Sequence, residues 1–180
     1  SDLWLAAMDV RHAAGQQMET STLESYKITV RLHVLDSEHG IGGMKLVHVT
    51  RKTINQFRDG LLESGRSEAM ARKIMTITKL IFGHALDNEL IHSNPAVGIR
   101  VLSTSRAPDK IKPPTKEEAR LLVENAKDSF RPILIVALFT GLRASEVRGL
   151  VWANVDLDEG YIHVRQRADH KRVMGEPKSE

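Results

Sequence analysis

An arginine and a carboxylate stand three residues apart at Arg143 and Glu146, directly after a Thr-Gly break in an apolar segment. Glycine readily takes the backbone angles that end a helix, so Gly141 predicts the end of one element and the start of another. Residues three apart share a face in a helical turn, so Glu146 can hold the side chain of Arg143. A guanidinium stays charged and binds phosphate oxygens bidentately. This spacing therefore indicates a fixed anion site.

The segment TGLRASEVRGLVWANVD resembles the first-arginine box of the tyrosine recombinases, the phage integrase family. That box reads roughly T-G-L/M-R-x-S/G-E-L/I-x-x-L, followed by W-x-D-I/V-D. The residues that fit it are Thr140, Gly141, Leu142, Arg143, Ser145, Glu146, Leu150, Trp152, Val155 and Asp156, whereas Ala153 and Asn154 depart slightly from it. Many ordered positions coincide, which makes the match more specific than a short glycine motif. The simpler interpretation is an ordinary helix end with an exposed Arg–Glu pair.

The resemblance implies a reaction that cuts DNA without a metal or any other cofactor. In this family a tyrosine hydroxyl attacks the scissile phosphate and leaves a 3′-phosphotyrosyl link and a free 5′-hydroxyl. Arg143 would then bind non-bridging oxygens, where one preorganised donor is worth about 3–4 kcal/mol. Glu146 would orient Arg143, and Lys178 would protonate the leaving 5′-oxygen as general acid. Lys178 lies in Glu-Pro-Lys-Ser, which is similar to the family's P-K-T/S sequence, and Lys171 on the preceding turn is the alternative.

The later motifs of the family do not follow before the last residue, Glu180. The sequence HVTR at 48–51 does spell H-x-x-R, but it precedes Arg143 and lies in the wrong domain, so we treat it as a coincidence. Tyr26 and Tyr161 do not occupy the place of the nucleophile, and we interpret both as packing residues. We therefore expect a fragment of a longer recombinase that binds DNA and does not cleave it alone.

The elements before the box predict a helical domain over residues 1–102. Capping patterns predict helices that begin at Ser21, after Thr50 and after Ser67. The last of these helices has the clearest helical spacing of apolar residues, which predicts a core-facing stripe made of Met70, Ile74, Ile77, Ile81 and Ala85. The order of these features is similar to the core-binding domain of the same family. This implies a helical-bundle DNA-binding domain.

Basic residues in two places are candidates for DNA contacts. Arg72 and Lys79 share a face with a hydroxyl at Thr76, and such a face could lie along a phosphate backbone. The segment 103–114 contains three prolines and reads as a linker. Its basic residues Arg106, Lys110 and Lys112 would contact phosphates without reading sequence. In both places the alternative is an ordinary solvated charged surface.

The segment 115–180 is predicted to begin the catalytic domain. A capping box at Thr115 starts a helix. The apolar run 130–139 predicts a buried element, and Pro132 together with the resemblance favours a helix over a strand. Residues 161–165 are a predicted strand, and a second strand should start near Arg172. The expected fold class is therefore mainly α, with a helical bundle followed by an α+β part that carries a small β-sheet.

Composition excludes several other classes of protein. The 180 residues contain no cysteine, which excludes disulfides and thiol catalysis. Eight histidines are present, but they do not show HExxH or any other ligand spacing, so we expect no metal. The chain also lacks GxSxG and GxxxxGK[ST], and no stretch approaches a membrane span or a signal peptide.

The expected partner is double-stranded DNA, with which a net charge of +3 and a pI near 9.3 are compatible. The resemblance implies a homotetramer on paired recombination sites and no membrane partner. It also implies a cytoplasmic protein, bacterial or phage-encoded, that associates with the nucleoid. The alternative function is a non-catalytic helical DNA-binding protein or a degenerate integrase remnant.

Overall fold

A computed structural model of the chain describes residues 1–15, 18–35, 38–102 and 112–177. The chain divides into two compact units, Ser1–Arg106 and Ala107–Glu180. Within the described ranges the first unit contains helices only, and the second contains helices and four short strands. The prediction of a mainly α protein with a small amount of β structure is therefore confirmed.

In the residues that the structure describes, the first unit is a bundle of four α-helices. They are α1 (Asp2–Ala13), α2 (Thr20–Thr29), α3 (Arg51–Glu63) and α4 (Glu68–Asp87). The chain continues from α2 as a π-helical segment, Val30–Leu35, and a 3-10 turn at Leu46–His48 precedes α3. No helix in the described ranges is both long enough and apolar enough to cross a membrane.

Two of the predicted helix starts in this unit are confirmed. The Thr50 hydroxyl accepts a hydrogen bond from the Thr53 amide at 3.3 Å, and the Thr53 side chain accepts one from the Thr50 amide. The Ser67 hydroxyl accepts a bond from the Met70 amide at 3.2 Å. Each cap satisfies backbone N–H groups that the first helical turn leaves without a partner.

The predicted cap at Ser21 is wrong, because α2 begins at Thr20. The amides of Thr22 and Leu23 donate to the carbonyl of Glu19, at 2.9 and 3.1 Å. Those bonds make Glu19 the N-cap and place Ser21 inside the first turn.

The core of the first unit is built on α4. Ile74, Ile77, Ile81 and Ala85 are buried as predicted, but Met70 is 37% exposed. The buried face also includes Ala71, Met75, Thr78 and Phe82. These residues move the centre of the face away from Met70, which lies near its edge.

Over residues 112–177, the second unit combines three α-helices with two two-stranded antiparallel sheets. Its elements are α5 (Lys116–Asn125), α6 (Arg131–Thr140), α7 (Ala144–Gly149), a 3-10 turn (Trp152–Asn154), β1 (Val155–Asp156), β2 (Tyr161–Ile162), β3 (Arg167–Ala168) and β4 (Met174–Gly175). Val155 pairs with Ile162 in the first sheet, and Arg167 pairs with Gly175 in the second. The predicted strand that begins at Tyr161 is thus shorter than expected, and the predicted second strand is β4.

The sequence predictions for α5 and α6 are confirmed in part. Thr115 caps α5 through a capping box with Glu118. The apolar run forms a helix, α6, but the prediction of full burial is wrong: Phe139 is 82% exposed and Ile133 is 48% exposed. The helices α5 and α7 contact α6 and cover only part of its apolar surface. Tyr161 is also 63% exposed, so its predicted packing role is wrong.

Candidate functional site

Arg143 is placed by the break between α6 and α7. Gly141 ends α6 with φ +67°, a left-handed conformation that glycine adopts without strain. The Thr140 hydroxyl donates to the Val136 carbonyl at 2.6 Å and accepts from the Leu142 amide at 3.3 Å, which fixes the turn. The chain then extends through Arg143 (φ −65°, ψ 149°), which is the N-cap of α7.

Glu146 holds Arg143 through two hydrogen bonds. The Arg143 backbone N–H donates to Glu146 Oε2 at 2.9 Å, and Arg143 Nη1 donates to Glu146 Oε1 at 3.0 Å. The Glu146 side chain is 8% exposed, whereas that of Arg143 is 61% exposed. A buried carboxylate therefore fixes the orientation of a guanidinium that remains accessible to a ligand.

The electrostatics of the pair keep the carboxylate charged. The backbone N–H of Arg143, followed by its side-chain hydrogen bond, lowers the pKa of Glu146 below the usual value, while burial acts in the opposite direction. Hydrogen bonds to the ionised form favour that form. Glu146 is therefore a carboxylate at neutral pH, and the pair needs no proton change to bind an anion.

The opposite end of α7 docks tightly on β3. A Cβ atom added at Gly149 would lie 2.6 Å from the Arg167 Cα and 2.9 Å from the Ala168 nitrogen. The Gln166 amide Nε2 donates to the Gly149 carbonyl at 2.8 Å, and Arg148 Nε donates to the Ala168 carbonyl at 3.2 Å. Sequence reasoning missed this contact; the glycine inside the box was the one signal that could have indicated it.

The β3–β4 hairpin is closed by Asp169. Its Oδ1 accepts the backbone N–H groups of Lys171 and Val173, at 2.8 and 2.9 Å. The bond from Val173 is the main cause that lowers the pKa of the Asp169 carboxyl. Lys171, the alternative to the predicted general acid, lies in this turn. Lys178 lies outside the described residues.

The predicted DNA contacts fall into two groups. Arg72 and Lys79 are exposed on α4, where Arg72 Nη2 lies 3.7 Å from Glu68 Oε2. The hydroxyl of Thr76, on the same face, donates to the Arg72 carbonyl at 2.9 Å. Lys112 is exposed as well, whereas Arg106 and Lys110 lie outside the described residues.

Among the described residues, no group of three or more histidines and carboxylates is arranged to hold a metal ion. The arrangement around Arg143 is instead suited to binding an anion through one fixed guanidinium.

Comparison with known proteins finds relatives that are named tyrosine recombinases and integrases. No protein-family model matches it. The tyrosine recombinase XerC-like protein of Caldanaerobacter subterraneus subsp. tengcongensis is 23% identical over 161 residues, which is 87% of this chain and 41% of that protein. The prophage integrase IntR of Escherichia coli (strain K12) is 25% identical over 179 residues, which is 91% of this chain and 42% of that protein. The chain thus spans less than half the length of these relatives.

Solved structures show the same fold. The Tn1549 transposon integrase in complex with a circular intermediate DNA superimposes with a TM-score of 0.74 at 19% identity, covering 97% of this chain and 57% of that one. A lambda integrase tetramer bound to a Holliday junction gives a TM-score of 0.67 at 19% identity, covering 97% of this chain and 49% of that one. The chain therefore has the fold of the matching part of these integrases. Together with the relatives, this confirms the resemblance to the tyrosine recombinase family that the first-arginine box indicated.

Proposed function

We propose that this chain is part of a site-specific DNA recombinase of the tyrosine type. It would comprise a helical DNA-binding domain (1–102), a basic linker (103–114) and the N-terminal part of the catalytic domain (115–180). The observation that carries the proposal is the accessible guanidinium of Arg143 held by buried Glu146, within a box that resembles the family's first-arginine box. The names of the relatives support the same reaction class.

Arg143 would stabilise the phosphate under attack. Negative charge increases on the non-bridging oxygens as the pentacoordinate transition state forms. A donor already fixed toward that charge needs no reorganisation, and removal of one such donor typically costs about 10²–10³ in rate. Glu146 would act as a positioning residue, because its two oxygens accept hydrogen bonds from the backbone and the side chain of Arg143.

Lys178 would protonate the leaving 5′-oxygen, so the reaction needs no metal. Neither tyrosine of this chain is proposed as the nucleophile. The Tyr26 ring packs on the buried Trp4, with ring centroids 5.6 Å apart. Tyr161 lies on the early strand β2, whereas the nucleophile of the family follows the later motifs in the sequence. Residues 1–180 alone would therefore bind DNA, and strand cleavage would require the longer protein that supplies the nucleophilic tyrosine.

The proposed partners follow from the reaction. The substrate is double-stranded DNA, contacted through Arg72, Lys79, Arg106, Lys110 and Lys112. A homotetramer on paired recombination sites is the proposed assembly, and the tetramer that lambda integrase forms on a Holliday junction supports it. Such a protein would work at the nucleoid in the cytoplasm of a bacterium.

Reading the parent gene beyond the codon for Glu180 tests this proposal. We expect an H-x-x-R motif and, further on, a tyrosine near the C-terminus. A reading frame that closes soon after Glu180, or that lacks either motif, would overturn the catalytic roles of Arg143 and Lys178. The chain would then be a DNA-binding remnant of an integrase.

A further inference from the structure

Arg167 lies at the junction between α7 and the end of the β3–β4 hairpin. Its backbone is the part of β3 on which α7 docks, since a Cβ atom added at Gly149 would lie 2.6 Å from the Arg167 Cα. Its half-buried side chain reaches past β4, where Nε donates a hydrogen bond to the Glu176 carbonyl at 2.8 Å. One residue therefore contacts both the helix that Arg143 begins and the segment that follows β4.

The side chain of Arg167 extends the hairpin beyond its backbone pairing. Within the described residues, the pairing of β3 with β4 ends where Arg167 lies opposite Gly175. A Cβ atom added at Gly175 would lie 3.5 Å from Arg167 Nη2 and 3.7 Å from its Cζ, so the guanidinium passes over this glycine to reach Glu176. A hydrogen bond from a charged donor is stronger than one between neutral groups. The Glu176 carbonyl is thus held one residue beyond the last strand pair.

The segment that Arg167 holds leads directly to Lys178, the proposed general acid. Glu176 and Pro177 are the two residues before it. A proline ring fixes φ at about −65°, so the bound Glu176 carbonyl and Pro177 together restrict the direction of the chain at this point. Because α7 docks on the backbone of Arg167, this residue also fixes where the segment starts relative to the arginine site.

We propose that Arg167 is a positioning residue for strand cleavage, which holds the segment leading to Lys178 in a fixed place relative to Arg143. This inference rests on the proposed function, in which Lys178 gives a proton to the leaving 5′-oxygen as the P–O5′ bond breaks. Arg167 acts through Lys178 and does not itself contact the DNA. A general acid must lie within hydrogen-bond reach of the atom that it protonates, so a looser segment would slow this proton transfer in particular.

The test compares two duplex substrates that carry the recombination site and differ in one atom. The leaving atom at the scissile phosphate is the natural 5′-oxygen in the oxygen substrate and sulfur in the sulfur substrate. A thiol is far more acidic than an alcohol, so sulfur leaves as a thiolate without taking a proton. Loss of the general acid should therefore slow cleavage of the oxygen substrate alone, whereas loss of charge stabilisation at the phosphate should slow cleavage of both.

The full-length parent protein is assayed as the wild type and as Arg167→Gln, and the covalent protein–DNA product is measured on a denaturing gel. Arg167→Gln should cleave the oxygen substrate about tenfold more slowly, a smaller loss than the 10²–10⁴ that a general acid typically contributes, because Lys178 itself remains. It should cleave the sulfur substrate at the wild-type rate. The matched control is Arg165→Gln, which removes the same charge from an exposed position two residues earlier and should match the wild type on both substrates.

Three further variants make the comparison specific. Lys178→Ala should show the same preference for the sulfur substrate with a larger loss on the oxygen substrate, and Arg143→Ala should lose rate on both. Arg167→Lys keeps the charge and the aliphatic stem but loses the planar fork, so it should fold and show the pattern of Arg167→Gln with a smaller loss. Thermal melting followed by circular dichroism checks the fold of each variant.

The outcomes separate this inference from the proposed function. If both Arg167 variants cleave the oxygen substrate at the wild-type rate, or lose as much rate on the sulfur substrate as on the oxygen substrate, Arg167 does not position Lys178 and the proposed function still stands. If Lys178→Ala shows no preference for the sulfur substrate, Lys178 is not the general acid, and its proposed role and this inference both fail. If the wild type forms no covalent product with either substrate, the proposed function fails and the role of Arg167 fails with it.

Discussion

Replacing Gly149 by alanine should disrupt the docking of α7, the helix that Arg143 begins. The added Cβ would lie 2.6 Å from the Cα and 2.7 Å from the carbonyl carbon of Arg167, and 2.9 Å from the nitrogen of Ala168. All three atoms belong to the backbone of β3, so no side-chain rotation relieves the contact. Either α7 or β3 must move.

The size of the effect follows from this geometry. An extra methyl group in a close-packed place costs about 1–3 kcal/mol. Alanine also lowers the entropy of the unfolded chain, which returns about 0.4–1 kcal/mol. A net loss of about 1.5 kcal/mol corresponds to roughly a tenfold change in the local opening equilibrium, because about 1.4 kcal/mol is a factor of ten. The movement would also strain two hydrogen bonds across this contact, from Gln166 to the Gly149 carbonyl and from Arg148 to the Ala168 carbonyl.

Amide hydrogen exchange measures this effect where it should appear. The amides of Glu146 and Val147 donate to the Arg143 carbonyl, at 2.8 and 3.0 Å, and report the start of α7. In Gly149→Ala their protection should fall roughly tenfold. The control is Gly43→Ala, where an added Cβ meets no atom within 4 Å. If the Glu146 and Val147 amides of Gly149→Ala exchange as slowly as those of the wild type, the docking of α7 on β3 does not position the arginine site.

Two other perturbations give clear expectations. The pKa of Glu146 is lowered in the folded state, so its contribution to stability is present above its unfolded pKa and is lost as pH falls through its folded pKa. In an acid titration followed by NMR of the α7 amides, Glu146→Gln should lose less stability than the wild type. Equal pH profiles would contradict the Arg143–Glu146 contact. Gly83 lies inside α4, where an added Cβ would make only an ordinary contact of 3.8 Å with Asn94, so Gly83→Ala should stabilise the first unit by about 1 kcal/mol. Urea unfolding followed by the fluorescence of buried Trp4 measures this gain. A lower unfolding midpoint would show that α4 cannot accept the methyl group.

The sequence predicted the features that depend on local chemistry. The caps at Thr50, Ser67 and Thr115 were predictable because each hydroxyl bonds to an amide three residues along the chain. The end of α6 at Gly141 was predictable because the left-handed conformation favours glycine. The contact between Arg143 and Glu146 likewise involves residues three positions apart.

Contacts between distant parts of the chain could not be predicted in this way. The approach of Gly149 to Arg167 depends on how β3 folds back on α7. The hydrogen bond from Arg66 to His33 depends on how the segment before α4 packs against the π-helical segment Val30–Leu35, and neither residue lies in a motif. Apolar composition alone predicted burial for α6, but Phe139 is exposed because burial depends on which elements cover the helix.

Strand cleavage by the full-length parent protein and its Arg143→Ala variant is the most direct test of the central claim. The substrate is a duplex that carries the recombination site of the DNA element encoding the protein, and the covalent protein–DNA product is separated on a denaturing gel. The matched control is Arg120→Ala, since Arg120 is an exposed arginine of the second unit paired with Glu124 at 2.7 Å. Arg143→Ala should lower the cleavage rate by about 10²–10³ and retain DNA binding, while Arg120→Ala should cleave at the wild-type rate. Cleavage by Arg143→Ala at the wild-type rate would contradict the proposed role of Arg143.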